Sequence, residues 1–167
     1  MYELEKNESI EKLISITKSD SGISGPKLAM AHMELGKLLA ERMPKFDPED
    51  TTIVAIMRGG IFFAEGLYFA LGCKFQLYDP KQDKFVVPKS KNIILVDAVI
   101  NTGKSIQEIV QPGMYIACCV INEKAVSLFD NQLYAVRVSK NSFVGKEVKQ
   151  QDGNIGPDTT MRLFNLL

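Results

Sequence analysis

The chain has 167 residues, of which 46% are hydrophobic and 24% charged, with 20 Lys plus Arg against 20 Asp plus Glu. This length and composition suit one globular domain and exclude disorder, a fibrous structure and a second catalytic module. A net charge of zero gives no global field for nucleic acid or an anionic membrane, so any anion site must be local.

Residues 9 to 18 read as a short helix, followed by a Ser/Asp/Gly loop. The next helix is expected from Pro26, which suits a first turn, to Met43-Pro44, with Leu28, Ala31, Leu35, Leu38 and Leu39 on one stripe. His32 falls on that stripe and reads as a core histidine with one hydrogen bond, since no carboxylate or nucleophile neighbours it in sequence. Residues 52 to 57 form a continuous apolar run, typical of a parallel strand covered on both faces. A turn at Arg58-Gly59-Gly60, a helix over 61 to 71 ended by Gly72, and a strand over 73 to 78 follow. The polar stretch 79 to 91 reads as a mobile loop or loose hairpin. Residues 92 to 97 are the expected central strand, 102 to 111 a phosphate-type turn and short helix, and 114 to 122 and 132 to 139 two further strands around a helical turn. The tail, 141 to 167, reads as loop-rich and part of the same domain, 1 to 167. The alternation predicts a doubly wound α/β fold with a mostly parallel sheet.

No apolar run reaches the ~18 residues of a membrane span, and the N-terminus lacks a signal-peptide pattern, so a cytoplasmic protein is expected. Cys118 and Cys119 are adjacent and must face opposite sides of a strand, which argues against a disulfide framework. Three cysteines and one histidine supply no zinc constellation at the usual spacings.

Ligands of such sheets bind beyond the carboxyl ends of the strands, which directs attention to residues 58–60 and 97–105. In the second segment, backbone N–H groups, the hydroxyls of Thr102 and Ser105 and the charge of Lys104 are suited to a phosphate, with Gly103 allowing close approach. An ordinary strand-to-helix turn capped by Thr102 accounts for Thr-Gly-x-Ser equally well. The segment also approaches a Walker loop, but Ala98 replaces the leading glycine, and Val99-Ile100 suits tight curvature poorly.

Ile93-Ile-Leu-Val-Asp97-Ala-Val-Ile-Asn-Thr102-Gly103-Lys-Ser105 resembles the phosphoribosyl-pyrophosphate signature of type I phosphoribosyltransferases, and Ile56-Met-Arg58-Gly59-Gly60 resembles that family's pyrophosphate loop. One acid followed by a neutral residue, Asp97-Ala98, is similar to the uracil branch, as is the tail Pro157-Asp158-Thr-Thr-Met-Arg162-Leu-Phe164 in part. The resemblance implies a transferase that joins phosphoribosyl pyrophosphate to a nucleobase, uracil in the first instance. A purine enzyme or a non-catalytic, donor-binding regulator of the same fold is the alternative.

It also implies roles. Asp97 and Arg58 serve catalysis. Arg58, Gly59, Gly60, Asp97, Asn101, Thr102, Gly103, Lys104 and Ser105 hold the donor. Lys81, Lys84, Lys89 and Lys91 lie in a basic loop suited to closing over pyrophosphate. Residues 141 to 167 form the base-binding segment, through Ile155, Gly156 and Asp158, with Phe143 or Phe164 available to stack on the ring. Mg²⁺ is the implied cofactor, carried largely by substrate and water oxygens with no dedicated protein ligands. A homodimer or higher homo-oligomer, without nucleic acid or membrane partners, is the expected assembly.

Overall fold

The computed structural model describes residues 1–129, 132–144 and 147–167, for Phe143 and Val144 the backbone alone. In chain order the elements are β1 (Tyr2–Glu3), α1 (Glu8–Thr17), α2 (Pro26–Ala40), β2 (Thr51–Ile56), α3 (Ile61–Leu71), β3 (Lys74–Tyr78), β4 (Asn92–Ile100), α4 (Lys104–Gln107), β5 (Tyr115–Asn122) and β6 (Leu133–Ser139). Then follow β7 (Ser142–Val144), β8 (Glu147–Lys149), β9 (Ile155–Pro157) and α5 (Thr159–Leu163). The first six strands form one parallel sheet in the order β1-β6-β5-β4-β2-β3, the doubly wound α/β architecture expected from the alternation. No helix among the described residues is long and apolar enough to cross a membrane.

The apolar runs become strands because both faces are covered. Every residue of β2 is buried. Ile53 and Ala55 join Ile94 and Val96 in one layer, whereas Val54 and Ile56 join Ile93 and Leu95 in the other, as a period of two requires. The first layer is covered by α1, α2 and α3 through Ile10, Ile14, Leu35, Leu39, Phe63 and Leu67. The second is covered by α4 and a 3-10 turn at Glu123–Leu128, through Ile106 and Ala125. Cys119 belongs to the first layer and Cys118 to the second, and all three cysteines are free thiols.

α2 and α3 cross at two glycines. A Cβ on Gly66 would lie 2.0 Å from the Met33 carbonyl oxygen, and one on Gly36 would lie 2.3 Å from that of Phe63. Neither backbone can yield without moving its helix off the sheet. Gly66→Ala is therefore expected to destabilise the protein by about 1–3 kcal/mol, despite the better helix propensity of alanine. A urea midpoint equal to the parent's would contradict so close a crossing.

Several features depart from the sequence expectations: α2 ends at Ala40 instead of Met43, α4 ends at Gln107 instead of 111, and β1 was not expected. β4 continues three residues past Asp97, because β5 still pairs with it, Ile100 opposite Ile121. The tail, expected as loop, contains a small antiparallel sheet in the order β7-β8-β9. Its strands have three residues each, too few for alternation to register.

The sheet also fixes where a ligand can enter. β3 follows β2 on one side, while β4 pairs with β2 on the other, so the connections leave in opposite directions from the carboxyl ends of β2 and β4. That is a topological switch point.

Candidate active site

At this point β2 runs into Met57-Arg58-Gly59-Gly60, with a cis peptide between Met57 and Arg58. Gly60 is buried, and a Cβ there would lie 2.7 Å from the carbonyl oxygens of both Ile56 and Val96. Only glycine lets α3 begin so close to the two strands. The pairing of β4 with β2 ends at Val96 opposite Ala55, so Asp97 is the first residue of β4 to face the gap that opens between them. A Cβ on Gly59 would lie 3.7 Å from Asp97 Oδ1 and 3.0 Å from Thr160 Oγ1, which shows how closely the loop, the carboxylate and the start of α5 approach one another.

They enclose a cleft of about 840 Å³. One wall is Met57, Arg58 and Gly59, the floor is residues 97–99 with Asn101, a second wall is residues 158–161, and Asp79, Lys81 and Gln82 stand at the rim. The rim turn is held by carboxylates: Asp79 Oδ1 accepts from Lys81 N at 2.9 Å, and Asp83 Oδ2 accepts from Asp79 N at 3.1 Å. Asp158 caps α5, accepting from Met161 N at 3.1 Å. The Arg58 guanidinium lies 5.5 Å from the centre of the Phe164 ring, which itself packs on Phe62.

Burial pushes the Asp97 carboxyl up to about 7, against the opposing pull of hydrogen bonds from the Val99 and Ala98 backbone. A positive charge beside it in the cleft would favour the ionised form. His32, in contrast, lies off the cleft lining. It is buried, its pKa is lowered to about 4 by desolvation, and its Nδ1–H donates to the Leu28 carbonyl at 3.0 Å.

Of the residues picked from the sequence, Arg58, Gly59, Asp97, Asn101 and Asp158 lie together on the cleft, and Gly60 lies beneath it. Thr102, Gly103, Lys104 and Ser105 continue past the lining into α4. There Gly103 has φ 77° and is pressed against Phe129, and Thr102 Oγ1 accepts from Lys104 N at 3.4 Å. Ile155 is exposed on β9, and Gly156 abuts Ser19 and Gln150, both away from the lining. Lys81 reaches the rim, while Lys84, Lys89 and Lys91 do not. The side chain of Phe143 lies outside what the structure describes. The Walker reading fails on geometry, because Ala98, Val99 and Ile100 belong to a strand and cannot wrap a phosphate.

Sequence reasoning missed Thr159, Thr160, Asp79 and Gln82. Asp79 had a signal, since it directly follows β3, the neighbour of β2, and is followed by proline; the two threonines had only their place in the tail.

Neither a protein-family model nor a curated protein matches the sequence. Solved structures do match the fold. The AQ2163 protein of Aquifex aeolicus is 14% identical with a TM-score of 0.70, covering 98% of this chain and 98% of its own. A hypoxanthine-guanine phosphoribosyltransferase of Bacillus anthracis is 14% identical with a TM-score of 0.53, covering 69% of this chain and 80% of its own. The hypoxanthine phosphoribosyltransferase of Trypanosoma cruzi, solved with IMP, is 10% identical with a TM-score of 0.51, covering 66% of this chain and 72% of its own. The fold is that of the type I phosphoribosyltransferases.

Proposed function

We propose that the chain transfers the phosphoribosyl group of phosphoribosyl pyrophosphate to a nucleobase, releasing pyrophosphate and a nucleoside monophosphate. The observation that carries this reading is the convergence of the Arg58-Gly59 loop, Asp97 and Asn101 on one cleft at the switch point of a sheet of this fold.

Such a transfer needs no strong nucleophile in the protein. Pyrophosphate leaves the anomeric carbon while a base nitrogen attacks, and positive charge grows on the ribose. Asp97, on the floor, accepts hydrogen bonds from the ribose hydroxyls and stabilises that charge. Arg58 and the Gly59 N–H take the leaving pyrophosphate, and Lys81 at the rim adds a cation to it. Residues 101–105 receive the 5-phosphate at the start of α4. The cleft suits a hard cation brought in on the donor. It offers the carboxylates of Asp79, Asp97 and Asp158, yet no three acidic, thiol or imidazole groups converge on one point among the described residues. Bound with the donor, Mg²⁺ supplies charge neutralisation at the pyrophosphate.

For the base, two considerations move the reading from uracil towards a purine. Ile155 and Gly156, two of the three tail residues expected to meet a small pyrimidine, lie off the lining while Asp158 lies on it, and the two phosphoribosyltransferases named above act on 6-oxopurines by their names. The test is to incubate the protein with phosphoribosyl pyrophosphate, Mg²⁺ and, separately, hypoxanthine, guanine, adenine and uracil, and to measure pyrophosphate. Release with a purine is expected. Release with uracil alone would restore the pyrimidine assignment, and donor binding without release for any base would make the chain a regulator.

Lys104 lies off the cleft lining, so Lys104→Ala is expected to keep measurable transfer, within about tenfold of the parent. Complete loss, with ATP hydrolysis by the parent, would return the Walker reading.

A further inference from the structure

Arg58 is exposed, and among the described residues its side chain makes no hydrogen bond or ion pair. Its partner is a ring. The guanidinium carbon sits over Phe164, 5.5 Å from the ring centre, inside the roughly 6 Å over which a cation and an aromatic face attract. The phenyl group has no oxygen or nitrogen, so the guanidinium N–H groups stay available to phosphate oxygens.

The ring itself is firmly placed. Phe164 ends α5, its N–H donating to the Thr160 carbonyl at 3.2 Å. Its side chain packs against the buried group Leu28, Ala29 and Leu163, and on Phe62 in the first turn of α3, with ring centres 5.3 Å apart. Phe164 is off the cleft lining, so its position does not give it the stacking on a base that the sequence suggested. It faces the loop instead, and α5 meets that loop a second time one residue on, where a Cβ on Gly59 would lie 3.0 Å from Thr160 Oγ1.

We propose that Phe164 is a positioning residue for Arg58: its ring holds the guanidinium at the cleft wall before the donor arrives. This rests on the reading above in which Arg58 takes the leaving pyrophosphate. A long side chain loses rotamer freedom when it grips an anion, and a ring that has already restricted it reduces that loss. The benefit therefore falls on pyrophosphate affinity and passes through Arg58 alone.

The experiment is calorimetric titration with Mg²⁺-pyrophosphate of the parent, Phe164→Leu, Phe164→Tyr, Arg58→Ala and the Arg58→Ala/Phe164→Leu double variant. Phe164→Leu is expected to weaken binding about three- to fivefold, and Phe164→Tyr, which keeps the ring, to stay within about twofold of the parent. In the Arg58→Ala background the leucine change should cost less than about 1.5-fold, since its partner is already gone. A second measurement needs neither the leucine variant nor a ligand. The chain has no tryptophan, so Phe164→Trp supplies a single indole, whose emission should change when Arg58→Ala removes the cation from its face. Equal affinity in the parent and Phe164→Leu, an equal loss in both Arg58 backgrounds, or an emission unmoved by Arg58→Ala would overturn the proposal and leave the transfer reading intact. No pyrophosphate binding by the parent would remove the role of Arg58, and this proposal with it.

Discussion

Asp97→Asn is expected to lower transfer by more than about 100-fold, because a negative charge that acts mainly on the transition state is removed at constant shape. Its stability should move the other way. The folded-state pKa of about 7 lies above the ordinary carboxylate value, so the folded chain binds a proton that the unfolded chain has released. The resulting penalty is absent at low pH, grows from about pH 4 to about pH 7, and is constant above that. The asparagine variant should therefore melt at the parent's temperature or higher at pH 8, with the difference shrinking towards pH 4. The alkaline rise of the parent's kcat/KM, with its midpoint near the Asp97 pKa, should disappear in the variant. A variant that melts well below the parent at pH 8 and retains its activity would make Asp97 a structural residue.

Arg162→Met is expected to cost about 3–5 kcal/mol, a large share of the stability of a chain this size. Arg162 is 1% exposed, and its guanidinium donates to the carbonyls of Ile23, Thr17 and Ile16 and to Ser21 Oγ, at 3.0 to 3.3 Å. Two of those carbonyls belong to the last turn of α1, whose orphan acceptors would otherwise be buried without donors. The same contacts hold α5, and with it residues 158–161 of the cleft wall, against the 16–23 segment. Urea denaturation of the two proteins measures the loss, and Arg162→Lys should recover part of it. A loss under about 1 kcal/mol would show that water replaces the guanidinium.

The contrast between these residues explains what the sequence can disclose. Asp97, Arg58 and Gly59 were legible as residues of the cleft because a local pattern, a buried strand entering a short polar turn, marks their place. Arg162 was legible as part of a tail pattern, but its work as a tie to a segment some 140 residues earlier was not, since no periodicity encodes a contact of that range. β2, β4 and β5 announced themselves by unbroken apolar runs, whereas β1 has two residues and exists only through its pairing with β6. The glycines of the α2–α3 crossing look like weak points of helices until the partner backbone is in place.

The placement of Cys118 and Cys119 on opposite layers has a bearing on how the protein can be handled. Burial pushes Cys119 up to about 11, holds Cys118 well above the ordinary thiol value, and raises Cys73 as well, so almost no thiolate is available to an oxidant or alkylating reagent while the sheet is intact. On unfolding, the three sulfurs become ordinary thiols. Their modification rate then measures opening of the sheet, with Cys119 reporting the layer under α1–α3 and Cys118 the layer under α4. A chain denatured without reductant is also free to form the wrong cross-links, so refolding should return full yield only when the thiols are kept reduced.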